Sequence, residues 1–172
     1  TTRDLVKRYF EGLPPGPSLS RAKRTDSSLQ GQVDLTLYDR VLLPRCYLAW
    51  PTVPRFHPDE APLSILAYLL GDGKSSRLYR ALVYERRIAQ SVSVYHDAEE
   101  IAGDFQMEVT AAAGHTAAEV EQVALEEIEQ LRNRPPSPEE MARAKNRIEW
   151  QHVRQLAGIG GFGGRADRLN FF

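Results

Sequence analysis

The chain contains 172 residues, with 22 Lys and Arg residues against 23 Asp and Glu residues. This length predicts about one domain, which can bury a core without disulfides or a structural metal. The balanced charge and the dispersed basic residues argue against a nucleic-acid partner, and no apolar stretch is long enough to span a membrane. Cys46 is the only cysteine, which excludes an internal disulfide and a multi-cysteine zinc site. It lies in an apolar run, which favours a buried thiol over a reactive one.

The first part of the chain predicts a helix end followed by a connection. Thr2 to Glu11 has the spacing of apolar residues typical of the last turns of a helix, and Gly12 stops it. The proline-rich residues 13–17 cannot continue that helix, and residues 18–30 are polar without a period. Both ends of the chain read as interrupted, so we expect a piece of a longer protein. The cellular compartment stays open.

A central unit from Leu63 to Tyr95 organises the rest of the chain. It predicts an apolar helix, a Gly-Asp-Gly turn, a second helix whose first amides are capped by Ser75 or Ser76, and an alternating strand from Ile88. The two helices carry apolar stripes that should face a common layer. We therefore expect four leucines to be buried against the sheet, namely Leu66, Leu70, Leu78 and Leu82.

Strands and helices alternate in blocks around this unit. Two strands are predicted before it, at Val33–Tyr38 and Cys46–Trp50, and a fourth at Phe105–Thr110 pairs with the third as a hairpin. Capping boxes at Thr116 and Ser137 each open a long helix. The second long helix carries an apolar stripe of Met141, Ala144, Ile148, His152 and Leu156. The order is ββαα repeated twice, which predicts an α+β fold with an antiparallel sheet covered by helices.

Two glycine-containing segments resemble nucleotide-binding loops but lack the required context. Gly73-Lys74-Ser75 looks like the end of a phosphate-binding loop, yet Tyr68 stands where that motif needs a glycine. The glycines from Gly158 to Gly163 follow a long helix, whereas a dinucleotide fingerprint follows a strand. We interpret the second segment as a hinge before a helix that starts near Arg165. The candidate hinge residues are Gly160, Gly161, Gly163 and Gly164.

No catalytic or metal-ligating set is recognisable in the sequence. The four histidines are never three or four residues apart, which is the spacing that places two imidazoles on one helical face for zinc. Glu149 and His152 have a spacing used in di-iron bundles, but such sites need further carboxylates from other helices. We expect His152 to be a hydrogen-bonded core or interface residue. No Gly-x-Ser-x-Gly elbow for a nucleophilic serine is present.

Three blocks carry a resemblance to a known family: LPRCYLAWPT, LLGDGKSSRLYRALVYERRIAQSVSVY and GGFGGRADRLN, in this order and spacing. They resemble the non-catalytic domain of the pitrilysin/insulinase family of zinc metallopeptidases, which includes the mitochondrial processing peptidases. The resemblance implies three segments. Residues 1–12 are the tail helix of a preceding zinc-bearing domain, residues 13–31 are a linker, and residues 32–172 are the non-catalytic domain.

The resemblance also implies a function. In this family, paired halves enclose an extended peptide, and the His-x-x-Glu-His zinc motif lies on another domain. That motif is absent here, so no catalytic residue or zinc ligand is carried over, and zinc is expected only in the full-length protein. Some relatives hold substrate with an Arg and a Tyr seven positions apart, and the matching residues here are Val83 and Gln90. The glycine-rich ending resembles the first half of the family's chain.

Three hypotheses follow. The first is a wall-forming domain of a zinc endopeptidase that encloses and positions peptide for a neighbouring catalytic domain. The second is a non-catalytic scaffold or processing-subunit relative of the same family. The third is an unrelated small-ligand module that binds nucleotides through its glycine turns. Under the first two, the partners are other domains of the same chain or a partner half, together with a peptide substrate.

Overall fold

The computed structural model describes residues 1–20, 29–160 and 163–171. The elements in chain order are α1 (Thr2–Phe10), β1 (Arg45–Thr52), α2 (Glu60–Gly71), a π-helix (Tyr79–Glu85), β2 (Ala89–Ala98), β3 (Gly103–Ala111), α3 (Ala117–Asn133), α4 (Pro138–Ala157) and α5 (Arg165–Phe171).

The three strands form one antiparallel sheet in the order β1-β3-β2. Met107 of the central strand lies opposite Leu48 on one side and Val94 on the other. Because side chains alternate along a strand, these residues share one face, which the helices cover. The opposite face carries polar and aromatic side chains such as Tyr47 and Tyr95, which are exposed. The predicted α+β class, an antiparallel sheet covered by helices, is confirmed.

The central unit packs as the sequence predicts. Leu70, Leu78 and Leu82 are buried with at most 1% of their surface exposed, while Leu66 is partly buried against the same cluster. Gly71 ends α2 so close to β2 that an added Cβ would clash with the side chain and backbone of Val94. A glycine is therefore required where the helix end meets the sheet.

The predicted strand at Val33–Tyr38 is wrong. The segment is in no strand, and Val33, Leu35 and Leu37 are 78%, 79% and 82% exposed. Alternation states which side of a strand is apolar, but a strand also needs a hydrogen-bonding neighbour, and no described residue pairs with this segment. Between α1 and α5, the order is therefore β1, α2, the π-helix, β2, β3, α3 and α4. This order has one strand before the first pair of helices, whereas ββαα repeated twice requires two.

One of the three predicted helix caps is also wrong. The Ser76 hydroxyl donates a hydrogen bond back to the Gly73 carbonyl at 2.8 Å, and the π-helix that follows has Leu78 at its N-cap without a side-chain cap. Because the turn is tight, the buried Ser76 hydroxyl lies next to the Gly73 carbonyl of the same turn and bonds to it instead of to an amide of the following helix. By contrast, the hydroxyls of Thr116 and Ser137 accept hydrogen bonds from backbone amides three residues later, each at 3.2 Å.

The C-terminal half of α4 extends past the core. Of its predicted apolar stripe only Ala144 is buried, whereas Leu156 is 50% exposed. At about 1.5 Å per residue, a helix of 20 residues is longer than the layer on which its first half packs. His152 is exposed, with Nδ1 3.1 Å from the Ile148 carbonyl oxygen, so it is not a core histidine of this chain.

Truncation of Leu78 tests the importance of the central unit. Leu78→Ala should lower the free energy of unfolding by about 2–5 kcal/mol, because it leaves a cavity between the helices and the sheet. Leu42→Ala is the matched control, since Leu42 is fully exposed, and it should change stability by less than about 0.5 kcal/mol. Equal changes in the free energy of unfolding for the two variants, measured by urea denaturation, would show that the leucine cluster does not stabilise the fold.

Candidate functional site

The residues present do not fit a bound metal ion. In the described ranges, no group of three or more His, Cys, Asp or Glu side chains converges. The histidines have separate neighbours: His57 lies 3.6 Å from Asp59, His96 lies 3.0 Å from Thr52, and His115 lies 3.6 Å from Glu119. Glu149 and His152 are not joined by further ligands.

The environment of the single thiol makes it unreactive. Cys46 is 9% exposed on the covered face of β1. Burial raises the pKa of its thiol to about 11, and the charge of Glu121 adds to the effect. Because the thiolate is the reactive form, this cysteine is a structural residue and no nucleophile candidate. The buried thiol expected from the apolar run is present.

A cavity of about 280 Å³ lies where the central turn meets α4. Its walls are the C-terminal end of α2, the turn that follows it, and the first half of α4. The main polar lining residues are Tyr68, Asp72, Ser75, Ser76, Glu140, Arg143 and Arg147. We call this cavity the α2–α4 pocket.

A bidentate ion pair holds one wall of the pocket to the other. The Arg77 guanidinium donates to the two carboxylate oxygens of Glu140 at 3.0 and 3.1 Å and to the Arg134 carbonyl at 3.0 Å. Glu140 also accepts a hydrogen bond from the Ser137 amide at 2.8 Å. The Arg77 guanidinium, followed by the Ser137 amide, lowers the pKa of Glu140 to about 2. The start of α4 is thereby fastened to the turn that leads into the π-helix.

A basic and aromatic stripe continues from the pocket along α4. Arg147 donates through Nε to Asp72 at 3.2 Å, and its guanidinium lies 4.8 Å from the centre of the Trp150 ring. Arg154 lies 5.1 Å from the same ring. Arg143 stands one helical turn before Arg147, at the pocket. Cation–π contacts of this kind hold guanidinium groups in defined positions on an exposed surface.

Val83 and Gln90 occupy structurally distinct positions. Val83 is in the π-helix and packs partly buried against the core. Gln90 lies at a β-bulge, because Ala89 pairs with Ala111 and Ser91 pairs with the adjacent Thr110. Bulges redirect side chains and are frequent near binding sites. The alternation of the sequence contains no signal for this bulge, so the sequence did not predict it.

The described glycines on either side of residues 161–162 lie close together between α4 and α5. Gly163 has a φ of +80°, and a Cβ on Gly164 would lie 2.8 Å from the Gly160 carbonyl oxygen. The Arg165 amide donates to the Gly158 carbonyl at 2.9 Å. Gly161 lies outside the described residues. The earlier Gly73-Lys74-Ser75 turn follows α2, and this segment follows α4, so neither has the preceding strand of a nucleotide loop.

Comparison with protein families gives a match over residues 1–148, to the family described as the Peptidase M16 inactive domain. The chain belongs to this family. This match confirms the resemblance of the sequence to the non-catalytic domain of a zinc-peptidase family. A search of curated proteins returned no significant match.

Solved structures show the same fold as this M16 inactive domain. A protease from Helicobacter pylori is 20% identical with a TM-score of 0.81, over 99% of this chain and 40% of that one. The inactive peptidase domain of a candidate zinc protease from Bordetella parapertussis is 24% identical with a TM-score of 0.62, over 70% and 66%. A chain of Complex III2 from Candida albicans is 22% identical with a TM-score of 0.55, over 67% and 30%. The M16 inactive domain thus spans less than half of the Helicobacter protein.

No helix among the described residues of this M16 domain is both long and apolar enough to cross a membrane.

The ion pair between Arg77 and Glu140 predicts a specific acid sensitivity. Because the pKa of Glu140 lies below its ordinary value of 4.5, the pair stabilises the fold fully above that pH and less as the pH falls towards about 2. Glu140→Gln should lower the free energy of unfolding by about 1–3 kcal/mol at neutral pH. It should also flatten the loss of stability in that acidic range, as measured by denaturation at several pH values.

Glu139→Gln is the control for this measurement, because Glu139 is exposed in the same helical turn. It should cost less than about 1 kcal/mol. Indistinguishable pH profiles for the two variants would show that the ion pair does not couple the turn to α4.

Proposed function

We propose that this chain is the non-catalytic domain of a zinc-dependent endopeptidase and that it encloses and positions peptide for cleavage by a neighbouring domain. The observation that carries the proposal is the family match, which is to an inactive peptidase domain. The zinc of the whole protein then belongs to a different domain, where it would activate water for hydrolysis.

Apolar surface near the N-terminus supports a neighbouring domain. The helix α1 buries none of its residues, and Leu5, Val6, Tyr9 and Phe10 are all more than half exposed. The extended segment at Val33–Tyr38 adds three exposed aliphatic side chains. Exposed apolar side chains in such number are typical of an interaction site. The proposed division into a tail helix at 1–12, a linker at 13–31 and the domain at 32–172 accounts for both features.

A non-catalytic scaffold or processing-subunit relative is the second candidate. The fold similarity to a chain of Complex III2 supports it, because that structure is described as a complex and no protease is named in it. The two candidates differ in the residues that precede Thr1. An intact His-x-x-Glu-His motif there favours the enzyme, and its loss favours the scaffold.

The central test compares the isolated chain with the full-length protein. After dialysis, the 172-residue chain should contain no stoichiometric zinc and should not cleave peptides, because its sequence carries no His-x-x-Glu-His motif and no Gly-x-Ser-x-Gly elbow. The full-length protein should contain zinc and cleave peptides. Elemental analysis and a fluorogenic peptide assay decide this. One tightly bound zinc per 172-residue chain, or cleavage by that chain alone, would reject the proposed silent role.

The glycine turn before α5 predicts a second effect in the full-length protein. Gly163→Val and Gly164→Val should lower peptide turnover and leave zinc content unchanged, because the first has a positive φ and the second touches the Gly160 carbonyl. If this turn sets how the domains meet, a displacement of about 1 Å can reduce the rate on the order of a hundredfold. Gly16→Val is the control, since nothing lies within 4 Å of its added Cβ. Unchanged turnover in folded, zinc-loaded variants would reject the hinge role of Gly160, Gly161, Gly163 and Gly164.

A further inference from the structure

We propose that the α2–α4 pocket binds a carboxylate group of a peptide, and that Arg143 and Arg147 contact it. The proposal rests on the proposed function in one respect, namely that peptides reach this domain. Its physical basis is independent, because it follows from the charges, the free donors and the size of the pocket. The expected ligands are acidic side chains or a free C-terminus.

Charged side chains of both signs line the pocket. They are the guanidinium groups of Arg143 and Arg147 and the carboxylates of Asp72 and Glu140. Arg147 pairs with Asp72, and Arg77, which lies next to the lining in the turn, pairs with Glu140. Arg77 and Glu140 neutralise each other through their bidentate pair. The charge left for a ligand therefore comes mainly from α4.

Arg143 supplies an available guanidinium. It lines the pocket, it is exposed, and within the described part of the chain it makes no hydrogen bond or ion pair. Its neighbour Glu140 is already held by Arg77 and the Ser137 amide. A guanidinium presents its N–H groups as a planar fork that matches the two oxygens of a carboxylate. Arg143 is thus a free donor at the mouth of a cavity.

Arg147 provides a second, oriented guanidinium. Its hydrogen bond to Asp72 uses Nε, so its terminal amino groups remain for another acceptor. The Trp150 ring on one side limits its motion. Because Arg143 and Arg147 are four residues apart on one helix, their side chains lie on the same face. A single carboxylate between them can accept hydrogen bonds from both.

Neutral donors complete the lining. Tyr68 and Ser75, which each carry a hydroxyl group, both line the pocket. Burial, followed by the charge of Asp72, raises the pKa of Tyr68, so its phenol stays protonated and can donate. Ser76 already donates to the Gly73 carbonyl and shapes the turn instead. The volume of about 280 Å³ suits one or two side chains of a peptide.

The pocket favours a carboxylate over a phosphate. A phosphate group carries a charge of about −1.5 to −2 at neutral pH. Arg77 pairs with Glu140 and Arg147 pairs with Asp72, so the positive charge left at the described lining is mainly that of Arg143, and one such charge matches a monoanion better than a dianion. Neutral donors beside two guanidinium groups fit the smaller charge.

Binding can be measured by fluorescence anisotropy with the 172-residue chain. The probe is a fluorescein-labelled octapeptide of alternating Glu and Ala with an amidated C-terminus. Its matched control has Gln in place of every Glu. At about 0.15 M salt, where long-range attraction is screened, the Glu peptide should bind saturably and the Gln peptide at least about tenfold more weakly. No saturable binding of the Glu peptide, and none of the Gln peptide with a free C-terminus, would overturn the proposal.

Two variants of α4 separate the pocket from general charge attraction. Arg143→Gln should weaken binding of the Glu peptide about tenfold, because it removes a charged donor from the pocket. Lys145→Gln removes the same charge from the same helix at a residue that does not line the pocket, and it should change affinity less than about twofold. Both residues are exposed, so both variants should fold as judged by circular dichroism. Equal losses in the two variants would overturn the proposal.

Two further measurements complete the test. One distinguishes a terminal carboxylate from a side-chain carboxylate, and the other distinguishes a carboxylate site from a phosphate site. The Gln peptide with a free C-terminus binds if a terminal carboxylate suffices, and this result supports the proposal as binding of the Glu peptide does. Displacement of the bound peptide by inorganic phosphate at lower concentration than by acetate overturns it in favour of a phosphate site. None of these arms requires proteolysis. A negative result would leave the proposed function standing, since zinc content and peptide turnover test that separately.

Discussion

The burial of one leucine cluster is the constraint on which the rest of this structure depends. Leu70, Leu78 and Leu82 come from two helical segments joined by a short turn, and all three lie against Met107 and its neighbours in a common core. Because the turn is so short, neither helix can turn its apolar face elsewhere without exposing the other. Fully burying a leucine contributes about 1.5–3 kcal/mol. The sheet is small, and these helices supply much of the apolar surface that covers it.

The position of the pocket follows from this packing. The cluster places the Gly71–Ser76 turn at the edge of the helical layer, and Arg77 emerges from that turn to bind Glu140 on α4. The ion pair is mostly shielded from water, with exposed fractions of 14% and 23% for the two side chains. Shielding makes such a pair more valuable than an exposed one. The leucine cluster and this ion pair together therefore determine how α4 lies against the central turn and where the arginines of α4 are placed.

Local patterns predicted those features whose causes are local. The capping residues Thr116 and Ser137 stand at helix starts, because a hydroxyl and an amide three residues apart need no other partner. Ser76 has the same chemistry, but its hydroxyl bonds to Gly73 because the turn folds it inward. The predicted apolar stripe of α4 faces the core only in the first half of the helix, because periodicity gives the face of a helix and not the length of the layer beneath it. The bulge at Gln90 and the pocket had no sequence signal, because the bulge depends on how two strands pair and the pocket forms only where α2 and its turn meet α4.

The sequence by itself determined the class of fold, the leucines of the central unit and the resemblance to a non-catalytic peptidase domain. These depend on residue order and on short-range periodicity, which are readable without coordinates. Only the tertiary structure decided that Val33–Tyr38 stays without a sheet partner, and that Arg143, Arg147, Tyr68 and the central turn surround one cavity. The physical reason is the same in both cases. Strand pairing and pocket formation join residues far apart in sequence, and their free energy depends on which surfaces the packed core leaves uncovered.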